Sequence, residues 1–311
     1  MTTETLSQPA VTIEIERLVH AIEYSHDPAF RITIDPSGKE VTACTRLTHH
    51  TWKIKQMYDF IVAADGYEMS EYLRAFQEGC QDVGIEFSPL VGITCLDESE
   101  SRYLSPEETL NLLVERIRER TRCEWYQRKQ HDRSYQAKRN ERAAESYLNK
   151  MLERYARLMI VRVDLSYLRE AFAALRVEQV FQDFDRLMVE RKRSSVFKHE
   201  VGHICSVEQD ESGFHIRTTF FFDATYVRSD WNKARSIGEL WRRVTAGRGG
   251  YSGWNHNKNH RANELGIGLL DRADEATKED VVHVMRCVAR TMQPLRIKPV
   301  GAKRLRVGLV R

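Results

Sequence analysis

The 311-residue chain has no Cys-x-x-Cys pair: its six cysteines, Cys44, Cys80, Cys95, Cys123, Cys205 and Cys287, are scattered. That spacing argues against a zinc ribbon or a disulfide framework and fits a chain kept reduced. No apolar run approaches bilayer length. The opening MTTETLSQPAVTIEIERL lacks the basic-then-apolar pattern of a secretory leader. The cytoplasm is the expected compartment, with no membrane partner. A charge surplus is lacking too, with 48 Lys+Arg against 45 Asp+Glu and a net charge of +3. Such a balance neither requires nor excludes nucleic acid, so the question becomes whether positive charge is clustered. The glycine-rich stretch 247–253 has no trailing Lys-Ser/Thr, which excludes a phosphate-binding P-loop and leaves a flexible loop or bulge.

An apolar content of 41% suffices for a sizeable core, and the length suits one large domain or two ordinary ones. The first half reads as mostly helical. Ile13, Ile15, Leu18, Val19 and Ile22 form an apolar stripe at helical spacing, and a similar stripe returns in Trp52, Ile54, Tyr58 and Ile61. Two neighbouring histidines on a helix point about 100° apart, so His49-His50 suits a solvated or capping role better than a metal. Ser105-Pro106-Glu107-Glu108 is a helix start: a capping hydroxyl, a proline suited to the first turn, and two carboxylates at the positive dipole end. No Pro or Gly follows until after Leu158, which predicts a long helix or a helical hairpin. Between Glu115 and Arg157 thirteen basic residues stand against seven acidic ones, interleaved with Trp125, Tyr126, Tyr135, Tyr147 and Tyr155. Both a solvated helix face and a phosphate-contacting arm fit that pattern.

From Leu158 the pattern changes. A buried strand over 159–165, a helix over 168–191, and a hairpin across Ile204–Asp223 with its turn at 209–213 come first. A helix near 235–245, a short strand over 265–270, a helix over 278–291 and a basic tail or final strand over 298–311 complete the chain. The order β-α-β-β-α-β-α predicts an α+β fold, a ferredoxin-like antiparallel sheet with helices on one face, as a domain of residues 158–311 after a mostly helical region 1–157. Across the hairpin Glu208 and His215 fall on one side, as a metal or acid/base pair or as surface residues.

The segments RLMIVRVDLSYL (157–168), ICSVEQDESGFHIRTTFFFD (204–223), IGELWRRVTAGRGGYSGWN (237–255) and CVARTMQPLRIKPVGAKRLRVG (287–308) together resemble the YagK/YfjJ and inovirus replication-protein family. These are prophage and phage proteins related to rolling-circle replication initiators with an HUH-endonuclease fold, and the resemblance covers the last half of the chain. In such enzymes two histidines flanking a hydrophobic residue hold a divalent cation with a nearby carboxylate, and a helix-borne tyrosine attacks the polarised phosphate. The resemblance places Glu208 at the carboxylate and His215 at the first histidine, as metal ligands. It places Arg217 at the second histidine, Cys287 at the tyrosine and Arg290 at the lysine beyond it. A guanidinium does not ligate a cation, so the resemblance implies a degenerate site of mobile-element origin, needing no cofactor, that binds single-stranded or hairpin DNA without nicking it and admits RNA. Arg217, Arg242, Arg243, Arg248, Lys303, Arg304 and Arg306 are the expected phosphate contacts. One alternative is an active Mg- or Mn-dependent nicking enzyme that recruits His199 or His203 as a further ligand and Tyr251 or water as nucleophile. Another is an interaction protein that binds a protein partner through residues 1–157.

Overall fold

The structure is a computed structural model describing residues 5–253, 267–290 and 295–310; the side chains of Cys287, Val288 and Arg290 lie outside the description. The chain forms two compact units. One comprises residues 1–132 with the returning segment 296–300, the other residues 133–295 and 301–311. The division therefore falls inside a long helix, 25 residues before the expected boundary at 157/158, because the second half of that helix packs on the second unit's sheet.

In the first unit, α1 (Gln8–Glu23) is followed by an exposed hairpin, β1 (Phe30–Ile34) and β2 (Glu40–Cys44), and by α2 (Thr48–Thr51) and α3 (Ile54–Val62). Then come β3 (Tyr67–Met69), α4 (Glu71–Val83), the pair β4 (Glu86–Ser88) and β5 (Gly92–Thr94), and α5 (Pro106–Arg122). The apolar stripe of α1 buries Ile15, Leu18, Val19 and Ile22 completely or nearly so, alongside Leu73 and Phe76 of α4 and Ile117 of α5. The expected start of α5 is a full capping box: the Ser105 hydroxyl accepts from the Glu108 N–H, and the Glu108 carboxylate accepts from the Ser105 N–H at 2.9 Å. Arg102 and these capping bonds pull the Glu108 carboxyl down to about 2. The span expected as a long helix or a helical hairpin is two successive helices, separated where Cys123 takes an extended conformation before α6 (Glu124–Arg154).

The second unit is built on β6 (Arg157–Tyr167), α7 (Val177–Arg191), the hairpin β7 (Glu200–Asp210) and β8 (Gly213–Asp223), and α8 (Asp230–Val244). β9 (Gly249–Gly253), β10 (Gly268–Asp271) and α9 (Glu275–Arg290) follow. At the end of the chain, β11 (Ile297–Pro299) pairs with β3 in the first unit, and β12 (Leu305–Val307) joins the second unit's sheet. That sheet is antiparallel throughout. β8 lies between β6 and β7, β12 lines the outer edge of β7, and β9 and β10 share the other edge of β6. Taking the first four strands in chain order as 1 to 4 (β6, β7, β8, β9), the spatial order is 4-1-3-2.

Side-chain alternation gives this sheet two unlike faces. Val161, Val163, Leu165, Ile216 and Phe220 face α7 and α8; Trp241 of α8 is fully buried against Tyr167 and donates its indole N–H to the Ser166 carbonyl at 2.8 Å. Stretch 247–253, expected as a loop, is largely strand β9. Its glycines serve close approach: a Cβ on Gly249 would lie 2.6 Å from the Trp241 ring. Gly238 has the same role, since a Cβ there would sit 2.3 Å from the ring of Tyr251. Gly238→Ala gains at most about 1 kcal/mol of helix propensity and overpacks at a cost of about 1–3 kcal/mol, so a net loss in urea denaturation is expected. A more stable variant would contradict this seating of Tyr251.

Helices were expected on one face only, but the other face is also covered along part of its length. There Leu158, Ile160, Ile204 and Phe221 form a core with Leu148, Met151 and Leu152 of α6 and Val281, Met285 and Ala289 of α9. Farther along the same strands this face turns polar. No helix among the described residues is long and apolar enough to cross a membrane.

Candidate functional site: a charged patch on the sheet

Three strands deliver the polar half of that face through fixed register. Asp164 of β6 lies opposite Arg217 of β8, which lies opposite Ser206 of β7; one step on, Glu208 lies opposite His215. Arg162 sits two residues before Asp164 and so shares its face. Glu208 is fully buried, Ser206, Arg162 and His215 nearly so, and the openings are at Arg217 and Asp164, whose side chains are 21% and 23% exposed.

Glu208 is the centre. One carboxylate oxygen accepts from the Ser206 hydroxyl at 2.6 Å. The other lies 3.6 Å from His215 Nε2 and 3.5 Å from Arg217 Nη1, ion-pair separations rather than hydrogen bonds. Arg217 Nε is 3.7 Å from Asp164 Oδ1, and His215 Nδ1 is 3.7 Å from Asp210 Oδ2 at the rim. Arg304 joins from the segment leading into β12: its carbonyl accepts from the Val207 N–H at 3.0 Å, and its guanidinium senses the Glu208 charge.

Burial and charge oppose each other here. Burial, the strongest influence on Glu208, pushes its carboxyl up, but His215, Arg217 and Ser206 together hold it below its ordinary value. Burial also works against the charged form of His215, yet Glu208 and Asp210 lift its pKa above the ordinary imidazole value. Burial pushes the Arg162 guanidinium down to about 10, with Arg217 adding to the push and Asp164 and Glu208 resisting it. Arg304 is likewise lowered by burial. With Asp210 included, the guanidiniums of Arg162 and Arg217 and that of Arg304 balance the carboxylates of Asp164, Glu208 and Asp210, and protonation of His215 tips the patch positive. On β8, His215 Nδ1 and Arg217 Nε are buried with no hydrogen-bond partner among the described residues.

Of the residues singled out from sequence, Glu208, His215, Arg217 and Arg304 are brought together. The structure adds Arg162, Asp164 and Ser206. Their signal was present in β6, where two charges stand in phase within an otherwise apolar strand; a solvent-facing reading of charged residues hides it.

The other expected contacts lie elsewhere. Arg248 pairs with buried Asp183 at 3.2 Å, and Arg306 pairs with Asp185 while its guanidinium lies 4.2 Å from the centre of the Phe184 ring. Arg242 lies over Tyr251, and Arg243 lines a groove between the C-terminal ends of α7 and α8. These four serve the helix-covered side of the sheet, and Lys303 is exposed beside Arg304. Cys287 and Arg290 ride on α9, with side chains outside the described residues.

The alternative metal set does not assemble. His203 bonds Glu200 at 2.8 Å, five residues from Glu208 along β7, which is about 16 Å of strand. His199 stacks on Tyr226, and Tyr251 faces α8, away from Glu208. Among the described residues no group of three or more His, Cys, Asp or Glu is arranged to hold a metal ion. Glu208 and His215 alone, with a guanidinium 3.5 Å from the carboxylate, do not fit a divalent cation. Comparison with protein-family models, curated proteins and solved structures gave no match.

Proposed function

We propose that the second unit binds the phosphodiester backbone of nucleic acid, DNA in the first instance, at the polar half of its sheet and does not cut it. The observation carrying this reading is the pair of buried donors, His215 Nδ1 and Arg217 Nε, on cationic side chains two residues apart on β8. Buried donors are nearly always satisfied, and phosphate oxygens are acceptors that suit donors on cationic side chains. The 4-1-3-2 strand order supports the ferredoxin-like, HUH-type fold that the sequence resemblance implies. A guanidinium where the resemblance expects a metal ligand supports binding over nicking.

The test is fluorescence anisotropy with labelled single-stranded DNA, hairpin DNA and RNA at low salt, with a parallel incubation of labelled DNA and manganese. Saturable binding that weakens with salt, and no covalent adduct or nicked product, is the expected result. Absence of binding at low salt sinks the proposal; an adduct or nick restores the active-enzyme alternative.

The raised pKa of His215 fixes the sign of a pH effect. Affinity is expected to fall as pH rises through that pKa, and His215→Gln is expected to remove the step. Stability follows linkage. The imidazolium contribution is complete below the ordinary imidazole value and lost as pH climbs through the raised one. The Glu208 contribution is present above the ordinary carboxyl value and lost as pH falls through the lowered one. A pH titration of urea midpoints is expected to show a plateau between these limits; a wild-type plateau unchanged in His215→Gln would remove the linkage.

A further inference from the structure

The second half of α6 carries a one-sided surface charge. Lys138, Arg139, Arg142, Lys150 and Arg154 are exposed, Arg157 follows at the start of β6, and Glu153 is the only exposed carboxylate between Arg133 and Arg157. None of these six cations forms an ion pair among the described residues, whereas Glu145 on the same helix is taken by Arg286 of α9. At about 100° per residue, Lys138, Arg139, Arg142 and Lys150 occupy the half of the helix opposite Ala144, Leu148 and Met151, which are buried against the sheet, and Arg154 lies at the edge of that half.

We infer that this face is a second, sequence-independent contact for nucleic acid, and that its ligand is the backbone of a double-helical segment such as a hairpin stem. The inference rests on the nucleic-acid reading above and names the form of ligand. Lys138 to Arg154 spans about 24 Å at 1.5 Å per residue, which is about seven base-pair steps at 3.4 Å.

Double helix is favoured over single strand by where the aromatics go. Single-strand surfaces pair cations with stacking rings, but the aromatics interleaved with this charge turn inward. Tyr126 and Tyr147 are buried, Trp125 lies under the Arg74 guanidinium at 4.6 Å, and Tyr155 packs on the second unit's core. Tyr135 alone is well exposed, at 65%. An anionic membrane surface is disfavoured because a surface-lying helix needs a free apolar face, and the apolar face of α6 is used in the core.

The test is the salt dependence of binding to a labelled hairpin by the full chain and by the quadruple variant Lys138→Gln, Arg139→Gln, Arg142→Gln, Lys150→Gln. All four side chains are exposed, so circular dichroism and the thermal midpoint are expected to match wild type. Each duplex phosphate that is no longer neutralised reduces the slope of log affinity against log salt by about 0.9, so the slope is expected to flatten by roughly three to four. The effect is expected to be smaller on single strands of equal length. A variant that binds the hairpin with the wild-type slope overturns the inference and leaves the sheet site standing. Failure of wild type to bind any nucleic acid removes the underlying reading as well. Phosphatidylserine vesicles captured by wild type but not by the variant, with hairpin binding unchanged, would assign the face to membranes instead.

Discussion

Glu208→Ala is expected to destabilise the second unit by about 3–5 kcal/mol, the usual cost of removing one partner from a buried ionic cluster. Glu208 is fully buried, and its two oxygens hold the Ser206 hydroxyl, His215 and Arg217 in place. Deleting the carboxylate leaves guanidiniums whose burial already presses against their charge, with the partly buried Asp164 as the remaining anion beside them. Urea denaturation followed by tryptophan fluorescence reports this directly, because Trp241 sits in the same unit. Glu208→Gln separates charge from shape. The amide keeps an acceptor for Ser206 and nearly the same volume, so a smaller loss is expected, while the patch gains one net positive charge. If a phosphate binds there, Glu208→Gln should bind DNA more tightly than wild type. A site that used Glu208 as a metal ligand would show the opposite sign.

Much of the second unit was legible because its signals are local. The alternation in 204–223 placed Glu208 opposite His215, and the run over 159–165 placed a buried strand, both as built. The capping box at Ser105 was equally readable, since it lies within four residues. What could not be read depends on contacts distant in sequence. The stretch 247–253 looks flexible until Trp241 and Tyr251 are known to press against its glycines and their partner Gly238. Arg242, Arg243, Arg248 and Arg306 look like an arginine set for phosphate, but a sheet has two faces and all four fall on the side of α7 and α8. Arg304 and Arg306 show how fine the distinction is: two residues apart, one stands beside Glu208 and the other with Asp185.

The patch and the α6 face divide recognition in a way that either one alone does not explain. A patch this buried presents only the edges of Arg217, His215 and Asp164 to a ligand, enough for one phosphate group but not for a strand. An exposed row of cations without ion-pair partners among the described residues supplies attraction without register. Phosphate contacts that are buried and directional fix position, and those that are exposed supply the salt-dependent part of affinity.

Arg217→Ala combined with Arg304→Ala is therefore expected to weaken binding about a hundredfold or more with only a modest change in salt slope. A hydrogen bond to a charged group contributes about 1.5–3 kcal/mol, and two neighbouring interactions fall short of strict addition. In the double variant Glu208 keeps Ser206 and His215, with Arg162 on the same face of the sheet, so folding is expected to survive and circular dichroism serves as the control. Arg217→Lys gives the finer reading. An ammonium keeps the charge but cannot present the in-plane Nε donor of the guanidinium, and that donor is buried without a hydrogen-bond partner among the described residues. A loss of about tenfold for Arg217→Lys, the equivalent of one hydrogen bond of about 1.4 kcal/mol, is the expected result in hairpin anisotropy at fixed salt. Equal affinity for wild type, Arg217→Lys and the double variant would mean that phosphate does not enter the sheet, and that Arg217 serves only to balance Glu208 and Asp164.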